Sequence, residues 1–367
     1  MLAVLFGASS ALFFGAADFI GGFASKRIIA MLVTALAALA GVVALTIAAP
    51  FDGGVWHAET WIGGIATGFA SCLGIWLLYS AYSVGPMTTL SPIVAIVSTV
   101  VPMFAGLATG ETFSGLGWIA VVVGLVAIGL VAAAPDARTS KARPADMVKA
   151  AFAGAFLGVF YIYLDGGLGN VHVDEAGLTP LMANRITCAV VAFLIVAVLA
   201  AKGRRIVVDR SAVDPRSRVP VSEPLASSPG GAAVVSGGAG VPAGAAGSGT
   251  ATLISARAAA PAAMPAPAAT PAPNAPSARK SRGAAQRAVL ISAVMLAMLS
   301  GTLDATANAL FSFGLAVGDL AVLSVVSGFY PAVTIGLAFV LLGERPNRLQ
   351  GIGIVLSLVS LVGMSLA

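Results

Sequence analysis

Long apolar stretches recur along the whole of this chain. Each contains eighteen or more nearly uncharged residues, close to the roughly 20 residues that a helix needs to cross the hydrocarbon core of a bilayer. The chain is 58% apolar and 10% charged, against roughly 25% charged in a soluble domain, so only lipid can cover this much apolar surface. We therefore predict ten transmembrane helices, at residues 3–23, 28–49, 61–83, 86–108, 115–134, 148–168, 178–201, 288–313, 319–342 and 349–366.

One segment, residues 203–286, breaks this pattern. Ala, Pro, Gly and Ser dominate it, without a helical or strand period, and such a composition buries too little apolar surface to offset the entropy of ordering. We predict a disordered insertion that serves as a tolerated surface loop. A regulatory or partner-docking role is the alternative.

The basic residues predict the orientation in the membrane. More than half of the 20 Lys and Arg residues lie between positions 202 and 287, so the net charge of +5 reflects one loop and not a surface for nucleic acid. The first, fifth and ninth connections also carry Lys or Arg, whereas the even-numbered ones carry neither. Because Lys and Arg mark the cytoplasmic side, we predict a multi-pass protein of the cell (inner or plasma) membrane, with odd-numbered loops and the insertion in the cytoplasm and both termini outside.

An internal repeat divides the chain into two halves. Residues 84–111 align without gaps on residues 317–344, at an offset of 233, and the first spans align at an offset of 147, which places Asp18 on Asp165. Each half holds five spans, so the second half must enter the membrane in the opposite sense. The predicted fold is an all-α integral membrane protein of two inverted five-helix repeats. Its domains are a first repeat at 1–134, a linker at 135–147 and a second, interrupted repeat at 148–367.

A Gly-Glu pair closes the fourth span of each half. The two motifs are TGE at 109–111 and LGERP at 342–346. In these motifs and in its repeat, the chain resembles the EamA-like carriers of the drug/metabolite transporter superfamily, over nearly its whole length outside the insertion. The resemblance implies ten helices around a central cavity, and export of a metabolite, amino acid or drug without ATP hydrolysis.

The same pairs have a structural interpretation. Gly110 and Gly343 suit the left-handed conformation that closes a helix. Glu111 and Glu344 can favour the start of the next helix, because a helix N-terminus attracts negative charge. We predict that all four are structural caps, with a part in gating as the alternative.

Acidic residues inside lipid-length helices are the strongest functional signal. An Asp near the bilayer centre costs on the order of 2.5–3.5 kcal/mol to insert, and Asp304 lies near the middle of the eighth span. Ser300, Asp304, Asn308 and Ser312 recur every four residues and share one helix face. We predict that Asp304 and Asn308 bind substrate or a proton, since hydrocarbon favours the neutral form of a carboxyl group, and that the two serines pack between helices.

Asp18, Asp165 and Arg185 are further charged residues within the predicted spans. Asp18 and Asp165 are related by the repeat, and each is predicted to guard one mouth of the pathway, although Asp18 could also sit solvated at the interface. Arg185 must snorkel, pair with a carboxylate or meet an anionic group of the substrate. Pairing with Asp165 or with Asp304 stays open.

Aromatic residues and prolines complete the candidate site. Trp76, Tyr79 and Tyr161 have polar tips that suit a mixed pocket, and they equally suit interfacial belts or ordinary packing. Pro92 and Pro331 interrupt helix hydrogen bonding in the fourth and ninth spans, and membrane helices tolerate such breaks where a cavity or hinge lies. A simple kink is the default interpretation of both prolines.

The predicted function is that of a secondary transporter that exports a small solute by alternating access, proton-coupled through Asp304. No G-x-x-x-x-G-K-[ST] phosphate loop occurs, so energy must come from a gradient or a partner. Cys72 and Cys188 suggest neither a disulfide nor a metal site, and we expect no cofactor. The expected partners are a small-molecule substrate and the lipid bilayer, without nucleic acid. An intramembrane enzyme that uses an Asp as acid and base, and a membrane sensor or scaffold, stay as alternatives.

Overall fold

The computed structural model describes most of the chain outside the insertion. The described residues are 1–85, 87–133, 143–166, 177–203, 275–342 and 347–366. They belong to one compact unit, Met1–Val208 with Arg282–Ala367, apart from 275–281, which fall in a second unit, Asp209–Ser281. Most of the predicted insertion and linker therefore lies outside the described residues.

The described residues form helices and contain no strand. A helix is what apolar spans require, because it satisfies every backbone polar group within the segment. A short 3₁₀ helix, Ala49–Phe51, follows the second α-helix. The α-helices are α1 (Leu2–Ser25), α2 (Ala30–Ala48), α3 (Ala58–Val84), α4 (Met87–Ala108), α5 (Gly115–Ala133), α6 (Pro144–Leu164), α7 (Thr179–Ala201), α8 (Ala275–Leu315), α9 (Leu320–Ser327), α10 (Tyr330–Leu342) and α11 (Arg348–Leu366).

Eight apolar segments among the described residues are long enough to cross a membrane. Helices α9 and α10 count as one of them, Leu320–Leu341. Two further apolar helices, Gly115–Leu130 and Arg348–Met364, are shorter. The structure thus shows an all-helical membrane protein, and the total of ten spans stays a prediction.

Small residues let the helices approach one another closely. Helix α3 packs against α6 and α7, α4 against α6, α1 against α9 and α10, and α5 against α11. At the α3–α7 contact, a Cβ added to Gly64 would overlap the side chain of Ala183. At the α4–α6 contact, a Cβ on Gly154 would lie 2.6 Å from the carbonyl oxygen of Val94. Close packing of this kind replaces the hydrophobic effect, which does not drive association between helices in lipid.

Gly301 makes the tightest of these approaches and gives a test of the packing. A Cβ at this position would overlap the backbone of Ala37 on α2, and backbone cannot move aside as a side chain can. We expect Gly301→Ala to lower the free energy of unfolding by roughly 1–3 kcal/mol, the usual cost of overpacking. Thermal unfolding of the purified protein in detergent measures the effect.

Gly129→Ala is the matched control, because nothing lies within 4 Å of an added Cβ there. Alanine is the better helix former by roughly 1 kcal/mol, so this variant should be neutral or slightly more stable. Equal losses in the two variants would contradict the packing of α8 on α2.

The ninth span is broken, whereas the fourth is continuous. Helix α9 ends at Ser327 and α10 begins at Tyr330, one residue before Pro331. Helix α4 continues through Pro92 and also through Pro102, so the break expected at Pro92 is not present. The repeat explains the difference: at the offset of 233, Ala95 and Ser98 stand where the ninth span has Gly328 and Pro331. Ser98 has the backbone N–H group that proline lacks, and Ala95 has a higher helix propensity than glycine.

Candidate functional site

A cavity lies between the helices and gathers most of the predicted binding residues. Its empty volume, including space open to solvent, is about 650 Å³. Residues from α1, α2, α3, α4, α6, α7, α8 and α10 line it. Six of the eight predicted binding residues are among them: Asp18, Tyr79, Tyr161, Arg185, Asp304 and Asn308.

Arg185 and Asp304 form an ion pair in the wall of this cavity. Of the two partners that the sequence left open for Arg185, the structure thus places Asp304 beside it. Arg185 is 4% exposed, while the Asp304 side chain is 25% exposed and reaches the cavity. A guanidinium taken out of water needs a counter-charge, so each residue accounts for the presence of the other inside the bundle.

Asp18 lines the same cavity as Asp304. The Tyr82 hydroxyl donates a hydrogen bond of 3.1 Å to Asp18 Oδ2. Among the described lining residues, Arg185 is the one basic side chain, and Asp304 already pairs with it. With both carboxylates ionised, the cavity would carry a formal charge of −1, which favours a positively charged or zwitterionic occupant.

The polar stripe on α8 divides into packing and cavity residues. Ser300 Oγ donates to the Ala17 carbonyl oxygen at 2.8 Å, so the Tyr79 hydroxyl, 3.0 Å away, must donate to Ser300 Oγ. This chain of hydrogen bonds joins α3, α8 and α1. Asn308 Nδ2 donates to the Asp304 carbonyl oxygen at 2.7 Å.

Two polar atoms beside the ion pair lack partners. Within the described part of the chain, neither Asn308 Oδ1 nor Arg185 Nε has a hydrogen-bond partner, although both atoms are buried. An unpaired buried donor or acceptor costs roughly 1–3 kcal/mol. A solute with its own acceptor and donor can satisfy both atoms from the cavity.

Aromatic rings form one apolar wall of the cavity. The Tyr161 ring lies 4.6 Å from that of Phe311 and 6.2 Å from that of Phe14, centroid to centroid. Phe14 also meets Tyr330 at 6.4 Å. Trp76, by contrast, is absent from the described lining and packs half-buried within an apolar cluster.

Asp165 lies at one end of the bundle, directly after α6. Burial, together with the carboxylates of Glu111 and Asp319, raises the pKa of Asp165 to about 6. Three carboxylates thus meet near the N-terminus of α9. That Asp165 guards one mouth of the pathway stays a prediction.

Glu111 caps a different helix from the one that the sequence predicted. Gly110 closes α4 with a φ of +107°, but Glu111 does not turn to α5. Its Oε1 and Oε2 accept hydrogen bonds from the N–H groups of Leu320 at 2.9 Å and Ala321 at 2.8 Å. The expectation for Glu111 is therefore corrected: it joins α4 to the start of α9, whose positive end it stabilises. Gly343 and Glu344 lie outside the described residues.

Sequence reasoning missed three residues of the site. Asn184, next to Arg185, donates to Ser71 Oγ at 3.0 Å and to Thr67 Oγ1 at 3.3 Å, and its polar side chain in an apolar helix was a visible signal. Phe14 aligns on Tyr161 at the offset of 147, which also marks it. The donor role of Tyr82 had no signal in the sequence.

An all-helical bundle with lipid-length apolar helices defines the class of multi-pass membrane proteins. Residues 247–366 match the sequence model of the EamA-like transporter family, which belongs to the drug/metabolite transporter superfamily. The resemblance to this family is thereby confirmed. Members of the family are transporters and not enzymes, and the match indicates a carrier of small solutes.

Comparison with solved structures shows the same fold in other proteins. Eighteen chains match, and one of them, described only as "Crystal structure of protein", aligns with a TM-score of 0.56 and 15% identity over 99% of this chain and 96% of that one. At this identity the likeness concerns the fold alone. No curated protein matches the chain.

Proposed function

We propose that this protein is a secondary transporter that exports a small polar or amphipathic solute, such as a metabolite, amino acid or drug-like compound, by alternating access. The observation that carries the proposal is the cavity in which Asp18, from the first half, lies with the Arg185–Asp304 pair from the second. A charged, partly aromatic cavity at the seam between two halves is the arrangement expected for a substrate site in carriers built from repeats.

The packing of the helices supports ten spans in two inverted repeats. Gly68 on α3 lies against the backbone carbonyl of Asn184 on α7, and Gly301 on α8 lies against the backbone of Ala37 on α2. The two glycines are 233 residues apart and their partners 147 residues apart, the two offsets of the repeat. The same contact therefore occurs twice with the halves exchanged, as a pseudo-two-fold axis requires.

The chemistry of the cavity favours a particular kind of solute. The surplus carboxylate suits a positively charged group, and the rings of Phe14 and Tyr161 offer faces to an apolar body or to a cation. The unpaired atoms Asn308 Oδ1 and Arg185 Nε add one acceptor and one donor. We infer a solute that carries an amine or a zwitterionic group on a compact apolar body.

Proton coupling through Asp304 belongs to the same proposal. Because Arg185 pairs with Asp304, the carboxyl group can exchange a proton only in a state in which the two have separated. Alternating access supplies such a state if closure of one side displaces α7 from α8. We retain the orientation inferred from the basic residues, with odd-numbered loops in the cytoplasm of a cell or inner membrane and both termini outside.

Reconstituted protein tests the proposal. Proteoliposomes loaded with a labelled metabolite extract are incubated with and without a pH gradient, and the compounds released are identified by mass spectrometry. We expect selective release of one class of solute, faster with an inward-directed proton gradient. Release that ignores the gradient removes the proton coupling, while release of no solute above empty liposomes contradicts the carrier. Covalent conversion of a compound would instead favour the intramembrane enzyme.

A further inference from the structure

A second cavity adjoins the first at the break between α9 and α10. Its empty volume is about 230 Å³, including space open to solvent, and the rings of Phe14, Tyr161 and Tyr330 border both cavities. No charged residue lies in its described lining, which is instead rich in hydroxyl groups. The small hydroxyl residues are Ser98 and Thr99 from α4 and Ser324 and Ser327 from α9.

Two of these hydroxyls are buried without a partner. Ser324 is 3% exposed and Ser327 is 6% exposed, and within the described residues neither Oγ atom makes a hydrogen bond. A hydroxyl in a helix usually bonds to a carbonyl one turn earlier, as Ser98 Oγ does with the Ala95 carbonyl at 3.3 Å. Burial without a partner destabilises a protein, so an occupant that bonds to either hydroxyl would be favoured.

The helix break supplies backbone oxygen at the same place. Pro331 has no N–H group, so the carbonyl of Ser327 loses its usual donor four residues ahead. The chain at Gly328 approaches α4 so closely that an added Cβ would overlap Thr99 Oγ1. The carbonyl of Ser327 and the hydroxyls of α4 and α9 thus belong to residues that border one small space.

The charge of the neighbouring cavity indicates the charge of the occupant. Asp18, Asp304 and Arg185 together carry a formal −1 when ionised, and Asp18 has a tyrosine hydroxyl as its partner in place of a cation. A monovalent cation held beside them by neutral oxygens would balance that charge without a further carboxylate. In carriers with discontinuous helices, unwound carbonyls and helix C-terminal ends bind Na⁺ in this way.

We propose that the second cavity is a Na⁺ site, formed by the hydroxyls of Thr99, Ser324 and Ser327 and the carbonyl oxygen of Ser327. The site joins α4 of the first half to α9 of the second. Binding there would link the two halves and neutralise the central cavity. The proposal goes beyond the transport function and does not depend on the identity of the solute.

Binding of ²²Na⁺ to the purified full-length protein tests the site directly. In a buffer whose main cation is N-methyl-D-glucamine, we expect saturable binding of about one Na⁺ per chain. Ser324→Ala and Ser327→Ala should each weaken binding by about tenfold or more, as the loss of one hydrogen-bonding group to a charge does. Ser357→Ala is the matched control, because Ser357 is also buried in a helix but its Oγ donates to the Gly353 carbonyl at 2.9 Å.

Thermal unfolding gives a second measurement, which also shows whether a variant is folded. Without Na⁺, Ser327→Ala should be as stable as the natural protein or more stable, because it removes an unpartnered hydroxyl. With Na⁺, the natural protein should become the more stable of the two, since an ion that binds only the folded state raises Tm.

Two results would overturn the proposal. One is the absence of saturable ²²Na⁺ binding together with equal Tm values in Na⁺, K⁺ and N-methyl-D-glucamine, which would mean that the cavity holds water only. The other is Na⁺ binding that both alanine variants keep in full. Neither measurement uses transport, so a failed flux assay and a failed Na⁺ assay are separate outcomes.

Discussion

Asp304→Asn is expected to reduce solute release from proteoliposomes at least tenfold and to lower the free energy of unfolding by roughly 3 kcal/mol. The amide leaves the Arg185 guanidinium buried without a counter-charge, and breaking a buried pair in this way costs about 3–5 kcal/mol. The lower value applies because the Asp304 side chain is 25% exposed. Calorimetry in detergent measures the stability, and the flux assay measures the transport.

A double variant separates the two effects. Asp304→Asn with Arg185→Gln removes both charges, so most of the stability should return, whereas transport should not. Glu59→Gln, which changes an exposed carboxylate in the first turn of α3, is the control: the flux should not change and the free energy of unfolding should fall by at most about 1 kcal/mol. Normal flux in the double variant would show that the ion pair serves folding and is not part of the solute pathway.

Glu111→Gln should open the contact between the end of α4 and the start of α9. The glutamine side chain has one oxygen where Glu111 has two, and it presents an NH₂ group to an N–H group of the helix. We expect the amides of Leu320 and Ala321 to exchange with deuterium about 10- to 100-fold faster, the equivalent of a lost hydrogen bond to a charged group. Unchanged exchange at these two amides, measured by mass spectrometry against the Glu59→Gln control, would rule out the cap.

Asp165, at the same end of the bundle, should make the stability of the protein depend on pH. Its pKa of about 6 lies above the usual value of 3.8, so between these pH values the folded protein holds a proton that the unfolded chain has released. Stability should therefore fall as the pH rises through this window. Asp165→Asn should remove that part of the dependence and be more stable than the natural protein at pH 7. An identical pH profile in the two proteins would contradict the raised pKa.

The sequence predicted the membrane class and most of the cavity because lipid imposes strict rules on it. A carboxylate such as Asp304 in a lipid-length helix must face polar surroundings, so its position alone marked it. Because Asn308 follows Asp304 by four residues, the two side chains were expected on the same face of the helix. Trp76 could not be assigned in this way, because an aromatic residue is as stable in a packed cluster as in a cavity.

Contacts between residues far apart in the chain could not be predicted from the sequence. Glu111 was expected to act on the following helix, since a local interaction is the one that spacing reveals, yet it bonds to residues more than 200 positions away. Pro92 was expected to break its helix, but the loss of a single N–H group is tolerated there. Gly328 and Pro331 together interrupt the ninth span, and the effect of that combination depends on how closely Thr99 approaches.

The charge pair and the broken helix occur in the second half alone. At the offsets of the repeat, Ala38 stands in place of Arg185 and Ser71 in place of Asp304. Two identical inverted halves would give the outward-facing and inward-facing conformations equal free energies, because exchanging the halves converts one conformation into the other. The unequal halves of this protein remove that degeneracy. For the proposed carrier we therefore expect a preferred resting state of the empty protein, and the solute concentration on the side that this state faces would then govern how often the cavity is filled.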